Sequence, residues 1–171
     1  MIPSIRHNDN RGYFAETYSH RKYLELGIDV EFVQDNHSLS REVGTLRGLH
    51  YQAPPHAQAK LVRCGRGALF DVAVDIRQGS PTYGQWEGYE LTAKKGDQLY
   101  IPVGFAHGFV GLKKENIIYY FCTNYRSAPH EKGISWNDKD LKIKWPVKKP
   151  IVSKKDKKNM SFKDYLQKFI K

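Results

Sequence analysis

Two residues in one stretch of the sequence, His50 and Lys60, combine a base with a nearby cation. A neutral imidazole can accept a proton near neutral pH, because the unperturbed pKa of a histidine side chain is close to ~6.5. An ammonium group beside it can stabilise the oxyanion that forms as the proton leaves. The pair is therefore suited to removing a proton from a carbon next to a carbonyl group.

The segment around His50 predicts a strand with a polar inner face. Alternate side chains of a strand share a face. One face would carry Leu46, Gly48, His50 and Gln52, and the other Arg47, Leu49 and Tyr51. A polar inner face indicates a lined cavity rather than a dry core.

The middle of the chain reads as successive strands separated by turn residues, which is typical of an all-β sandwich or barrel. The clearest strand covers 69–76, where apolar residues alternate with Asp71, Ala73 and Asp75. Further strands are predicted at 60–64, 85–92, 98–101, 107–112 and 116–124. Together they favour a closed double sheet.

Two helices flank these strands. Ser19 is placed to cap a short helix that runs through Leu26 and stops at Gly27. A second helix is predicted from Ser161 to the end of the chain, with Ser161 and Asp164 as its capping pattern. The residues predicted to face the core from this helix are Phe162, Tyr165, Leu166, Phe169 and Ile170.

The length of 171 residues predicts one domain over 1–171, and no segment reaches the ~20 apolar residues of a membrane span. We expect a soluble, cytoplasmic protein with no membrane partner, in which Cys64 and Cys122 are reduced structural thiols. The net charge of +10 favours anionic partners. Nucleic acid is not expected, because the sequence has no recognisable nucleic-acid-binding motif.

Two glycine-containing segments have the spacing of the cupin signatures. They are Gly44-x5-His50 and Gly96-x5-Pro102-x-Gly104-x2-His107. Tight turns at the glycines would bring His50 and His107 to one barrel mouth. Metal-binding cupins have a second histidine at the position of Gln52, and here His56, Gln58 and Lys60 follow instead. We therefore predict no metal site.

Several further motifs are more specific. They are the segments 11–16, 32–37, 46–50, 60–64, 70–77, 101–109 and 134–138. From about Asn10 to the C-terminus the chain resembles the dTDP-4-dehydrorhamnose 3,5-epimerases, metal-free cupins that act on nucleotide-linked 4-keto-6-deoxy sugars. The resemblance implies an all-β, cupin-type double-stranded β-helix (jelly roll) barrel with short flanking helices, and no cofactor.

The resemblance also implies a catalytic set. His50 matches the base that removes the proton next to the C4 ketone, and Asp156 the carboxylate that orients it. Tyr120 matches the acid that returns a proton from the opposite face, since one base alone would return it to the same side. Lys60 would stabilise the enolate oxygen. Tyr119, which faces the other way on the strand, is assigned to packing.

Further positions match the family's substrate-binding residues. At the nucleotide and diphosphate these are Arg11, Phe14, Glu16, Gln34, Asn36, Arg47, Tyr125 and Glu131, and Asp71 and His107 line the sugar end. The chain departs from the family at Arg126, where a tyrosine is common, which leaves the base and the sugar open. It also begins almost directly at the Arg11 motif, where the family usually has a further dimer-swapping strand. A homodimer is expected, with its geometry left open.

The leading hypothesis is an epimerase that inverts C3, C5 or both on a nucleoside-diphosphate 4-keto sugar destined for a surface polysaccharide. A C3-only epimerase or a 3,4-ketoisomerase on a similar substrate is the close alternative. A metal-dependent cupin oxygenase or isomerase, and a non-catalytic sugar-nucleotide or nucleic-acid binding protein, are the other two classes. Elemental analysis and the effect of His50→Ala would separate these from the epimerase.

Overall fold

The computed structural model describes residues 1–169, and within α2 it leaves the side chains of 166, 168 and 169 undescribed. Its strands are β1 (His7–Asp9), β2 (Gly12–Phe14), β3 (Gln34–Ser40), β4 (Thr45–Gln52), β5 (Lys60–Arg66), β6 (Ala68–Asp75), β7 (Trp86–Thr92), β8 (Gln98–Ile101), β9 (Phe105–Gly111), β10 (Asn116–Cys122), β11 (Glu131–Gly133) and β12 (Ile151–Val152). The helices are α1 (His20–Glu25) and α2 (Phe162–Phe169), and single 3-10 turns cover Ala128–His130 and Asp156–Lys158.

The strands pair in a nested order that defines a jelly roll. Antiparallel pairs join β3 to β10, β4 to β9, β5 to β8 and β6 to β7. The chain therefore forms one long hairpin that is rolled into two facing sheets. The small sheet has the order β3-β10-β5-β8, and the large one has the order β11-β4-β9-β6-β7 with β12 beside β4. This architecture confirms the predicted all-β jelly roll.

The hydrophobic residues form two separate cores. The first lies between the sheets and includes Val62, Leu69 and Ile118. The second covers the outer face of the large sheet, where Val72 and Val74 pack with residues of the C-terminal part of the chain. The apolar face of the predicted strand 69–76 therefore turns outward, and the face with the carboxylates turns into the barrel.

Both predicted helices are present. At α1, Tyr18 packs edge-on against Tyr23 at 5.1 Å, but the Ser19 side chain makes no capping hydrogen bond. At α2, the Ser161 hydroxyl accepts from the Asp164 backbone N–H and donates to its carboxylate, which confirms the capping pattern. Phe162 and Tyr165 are buried as predicted. The side chains of Leu166 and Phe169 and the whole of Ile170 lie outside the described residues.

A register shift in β4 overturns part of the predicted strand pattern. The pairing with β9 slips between Arg47 and His50, where Gly48 has a φ of 119°. The strands approach so closely that a Cβ on Gly48 would lie 2.6 Å from the Gly108 Cα. Strict alternation predicted that Arg47 and His50 lie on opposite faces of the strand. Both side chains line one cavity instead, because the bulge adds one residue to β4 between them.

Strand β3 is absent from the sequence-based prediction. Its inward positions carry Gln34, Asn36, Ser38 and Ser40, so no apolar alternation marks the strand. Gln34, Asn36 and Ser38 face the two cavities described below rather than a dry core. Across residues 1–169, no helix has both the length and the apolar character that a membrane crossing requires.

Candidate active site

A partly exposed His50 and a buried Asp156 form a hydrogen-bonded pair at the mouth of the barrel. The His50 Nε2 lies 2.6 Å from the Asp156 Oδ1, and Asp156 is only 4% exposed. Burial by itself favours the neutral acid, but the hydrogen bond and charge of His50 outweigh it, so the pKa of Asp156 lies below its usual value. A buried acceptor at Nε2 fixes the tautomer in which Nε2 carries the proton and Nδ1 keeps a lone pair.

Backbone pairing explains how residues 106 positions apart in the chain meet. β12 runs parallel to the start of β4, with Ile151 opposite Thr45 and Val152 opposite Leu46. The turn that follows β12 carries Asp156 back toward His50. The Asp156 backbone N–H donates to the Ser153 hydroxyl at 3.0 Å, which holds this turn in place.

Lys60 and Tyr120 reach the same space from the small sheet. A cavity of about 490 Å³ is lined by His50 and Asp156 from the large-sheet side and by Lys60 and Tyr120 from β5 and β10. We call it the main cavity. Its two walls therefore present different ionisable groups to the space between them. Tyr119 lies instead on the outer face, under the Arg63 guanidinium, as its predicted packing role requires.

Burial shifts the pKa values of both Lys60 and Tyr120, the two cavity residues on the small sheet. Desolvation lowers the pKa of Lys60, although Cys122, Asp71 and Glu131 favour its charged form. Desolvation also raises the pKa of Tyr120, so its phenol stays protonated over a wide pH range. The cavity thus holds a phenol that can act as an acid and a cation in a partly water-excluded setting.

His107 lies next to His50 across the β4 and β9 pairing and lines the main cavity. Its Nε2 lies 2.9 Å from the Asp71 Oδ1. Burial lowers the pKa of His107 even though Asp71 opposes the shift. Asp71 is fully buried and lines neither this cavity nor the smaller one described below, so it acts on the cavity indirectly, through its hydrogen bond to His107 and its charge near Lys60.

A second, smaller cavity of about 150 Å³ adjoins the first. We call it the side cavity. The two cavities share His50, Lys60, Tyr120 and Glu131. The side cavity is otherwise almost wholly polar, with a lining that includes Gln34, Asn36, Gln52, Gln58 and Arg126.

Glu131 is held between two cations at the junction of the cavities. Its Oε2 accepts from the Arg126 guanidinium at 3.0 Å, and its Oε1 accepts from the Lys155 ammonium at 2.6 Å. Burial alone would raise the pKa of Glu131, but these partners and His50 hold it below its usual range. The departure at Arg126 therefore creates an ion pair beside the substrate space.

Some predicted substrate-binding residues lie outside both cavities. Arg11 pairs with Asp9 in the β1–β2 hairpin, Phe14 stacks on His7, and Glu16 pairs with Lys22. Tyr125 is 65% exposed and lines neither cavity. Within one chain these residues are therefore separated from the catalytic set, whereas Gln34, Asn36, Arg47, Arg126 and Glu131 adjoin it.

Several cavity residues were not predicted from the sequence, among them Lys155 and Ser38, which both line the main cavity. The available signal was adjacency, because Lys155 precedes Asp156 and Ser38 follows the motif that ends at His37. In the part of the chain that the structure describes, no group of three or more His, Cys, Asp or Glu side chains is placed to hold a metal ion.

Comparison with known proteins identifies the family. The family model described as dTDP-4-dehydrorhamnose 3,5-epimerase matches residues 1–164. The chain belongs to the dTDP-4-dehydrorhamnose 3,5-epimerase family. The Shigella flexneri dTDP-4-dehydrorhamnose 3,5-epimerase is 52% identical over 157 residues, which cover 91% of this chain and 86% of that protein.

Solved structures of the dTDP-4-dehydrorhamnose 3,5-epimerase family share the whole fold. The Bacillus anthracis enzyme, crystallised with TDP and PPi bound, is 47% identical with a TM-score of 0.92, and the match covers 94% of this chain and 91% of that one. The Legionella pneumophila dTDP-6-deoxy-D-glucose-3,5-epimerase, in complex with dTDP-4-keto-L-rhamnose, is 44% identical with a TM-score of 0.89, covering 93% and 85%. The fold is thus the cupin-type jelly roll of this family.

Proposed function

We propose that the protein inverts C3 and C5 of a nucleoside-diphosphate-linked 4-keto sugar without a cofactor. The observation that carries the proposal is the placement of a carboxylate-bound imidazole and a half-buried phenol on different walls of one cavity. Inversion needs a proton removed from one face of a carbon and returned to the other. Family membership supports the same reaction type, and kinship alone suggests that the product supplies a surface polysaccharide.

His50 acts as the base. With Nε2–H donated to Asp156, the lone pair on Nδ1 accepts the proton from the carbon next to the ketone. The imidazolium that forms is stabilised by the negative charge of Asp156, whose lowered pKa keeps it ionised. Asp156 is therefore a positioning residue that also balances charge.

Lys60 stabilises the enolate. Removing the proton shifts negative charge to the C4 oxygen, and the Lys60 ammonium lies in the cavity where that oxygen would be bound. Fixed charges at water-excluded sites of this kind lower barriers by roughly 3 kcal/mol. The surrounding Asp71, Glu131 and Cys122 favour the charged form of Lys60 and so preserve this function.

Tyr120 returns the proton. Its hydroxyl approaches from β10, on the sheet opposite the one that carries His50. The raised pKa of Tyr120 keeps the phenol protonated until the enolate, a stronger base, takes its proton. Removal at one wall and return at the other then inverts the carbon, and His50 releases its proton to solvent while Tyr120 regains one from solvent before the next inversion.

The cations at the main cavity bind the diphosphate. Arg47 lines that cavity, and its guanidinium is anchored by the Leu39 carbonyl at 3.0 Å. Lys155 lies at the same mouth. Arg126 still balances the negative charge of Glu131 when Lys155 turns toward a phosphate. Gln34 and Asn36 bind polar groups of the substrate from the side cavity, and His107, fixed by Asp71, contacts the sugar.

A homodimer would bring the remaining residues to a site. Tyr13 and Phe14 of the β1–β2 hairpin are 57% and 69% exposed, which is unusual for aromatic side chains without a partner surface. We propose that the hairpin and the residues just after it deliver Arg11, Phe14 and Glu16 to the nucleotide in the partner's cavity. Tyr125 of the partner subunit contacts the same nucleotide. Mixing inactive Arg11→Ala and His50→Ala proteins should then restore part of the activity, and no restoration would argue against sharing.

Deuterium exchange tests the reaction itself. In D₂O the protein should place deuterium at C3 and C5 of dTDP-4-keto-6-deoxyglucose, and NMR should identify the inverted product. His50→Ala should abolish both while binding of dTDP is nearly unchanged. Exchange at C3 alone would reduce the proposal to a C3 epimerase, and no exchange with any nucleotide-linked 4-keto sugar would refute it.

A further inference from the structure

The inward face of β3 holds one hydroxyl without a partner. Gln34 donates to the Asn36 Oδ1 at 3.0 Å, Asn36 donates to the Cys122 Sγ at 3.6 Å, and the Ser40 Oγ accepts from Arg47 at 3.4 Å. The Ser38 Oγ is buried and has no hydrogen-bond partner among residues 1–169. Because buried polar groups are nearly always paired, a hydroxyl in a ligand cavity without a protein partner points to the ligand.

The position of Ser38 along the strand indicates which part of a ligand it meets. Asn36 lies opposite Tyr120, and Ser38 is two residues further along, opposite Ile118. At ~3.4 Å per residue, Ser38 lies about 7 Å along the strand from Asn36, the residue paired with Tyr120. The Arg47 guanidinium is bonded to the next residue, through the Leu39 carbonyl. Ser38 therefore lies between the phenol and the cation that binds phosphate.

We propose that the Ser38 hydroxyl donates a hydrogen bond to an oxygen of the substrate diphosphate, beside Arg47. This inference rests on the proposed function. A serine hydroxyl is a donor that can rotate to suit its acceptor, and a hydrogen bond to a charged phosphate is stronger than one between neutral groups. Ser38 would thus fix the distance between the diphosphate and the sugar that Tyr120 protonates.

Ser38→Ala tests the contact. The dissociation constant of dTDP, measured by calorimetry, and the KM for the keto sugar should each rise about 10- to 100-fold, with kcat within about threefold of the wild type. Ser38→Cys, which keeps the shape but is a weak donor, should show a similar loss. Ser135→Ala is the matched control, because its hydroxyl bonds only to Asn137 on a loop that lines neither cavity.

Three outcomes would overturn the inference. Unchanged dTDP affinity and KM in Ser38→Ala would mean that the hydroxyl meets no ligand. A raised KM for the keto sugar with unchanged dTDP affinity would place it at the sugar instead. If the wild type neither binds dTDP nor exchanges protons, the proposed function fails and this inference with it, whereas a failure confined to the Ser38 variants leaves that function intact. The melting temperature of Ser38→Ala should equal or exceed that of the wild type, because the substitution removes a buried hydroxyl that has no hydrogen-bond partner.

Discussion

Replacing Asp156 with asparagine should reveal how much of the reaction depends on the carboxylate behind His50. The substitution keeps the size of the side chain and removes its charge. The imidazolium formed during proton removal would then face a neutral amide at a buried position. The loss should fall on the chemical step, because Asp156 bonds to His50 through the ring nitrogen that we assign away from the substrate.

The magnitude follows from the geometry of the pair. A hydrogen bond to a charged group contributes about 1.5 to 3 kcal/mol. The 2.6 Å separation and the 4% exposure of Asp156 put this bond in the upper half of that range. At 1.36 kcal/mol per factor of ten, kcat should fall by roughly 50- to 150-fold.

The assay is product formation followed by NMR, together with calorimetric binding of dTDP. Asp156→Asn should lower kcat and leave the dissociation constant of dTDP within about twofold, because the charge acts on the transition state. Asp140→Asn makes the same chemical change at an exposed position and should match the wild type. A kcat within threefold of the wild type for Asp156→Asn would refute the role given to the carboxylate.

Three further predictions concern the other wall of the cavity and the bulge. Tyr120→Phe should keep deuterium uptake into the substrate, because His50 remains, but should slow inversion by about 10² or more, as measured by NMR. Lys60→Arg should move the alkaline limit of activity to higher pH. The reaction needs the cation, burial lowers the pKa of Lys60 below its ordinary 10.5, and activity is lost as the pH rises through that lowered value, whereas arginine stays charged. Gly48→Ala should destabilise the fold by about 3 kcal/mol in denaturant melts, since its Cβ would meet the Gly108 Cα at 2.6 Å in a left-handed conformation.

Matched variants separate these effects from general damage. Tyr119→Phe removes a hydroxyl from the outer face of the same strand and should invert substrate normally. Gly12→Ala imposes a similar positive φ, 134° against 119°, where a Cβ meets nothing within 4 Å, so it separates the backbone cost from the steric clash. Normal inversion by Tyr120→Phe, an unmoved alkaline limit for Lys60→Arg, or equal stability losses at the two glycines would contradict the respective arguments.

The sequence predicted the strands in which apolar alternation marks a face that packs in a dry core. β8 matches its predicted span of 98–101, and β6 begins one residue before its predicted start and ends one before its predicted end. β3 could not be predicted in this way, because its inner side chains line a wet cavity and provide no apolar alternation. Ser38, the residue with the clearest unused hydrogen bond, lies on this strand. Periodicity therefore misses β3, whose inner face is polar throughout, although it predicts β4, β5 and β10, which also line the main cavity.

The identity of the chemical groups was already determined by the sequence. Residue type and position in the sequence singled out His50 and Lys60 as a base and a cation, and the family resemblance added Tyr120 and Asp156. The tertiary structure decided what each group faces. It turned Arg47 into the cavity through a bulge and set Asp71 behind His107. Both outcomes depend on how strands from distant parts of the chain pair, which local patterns do not encode.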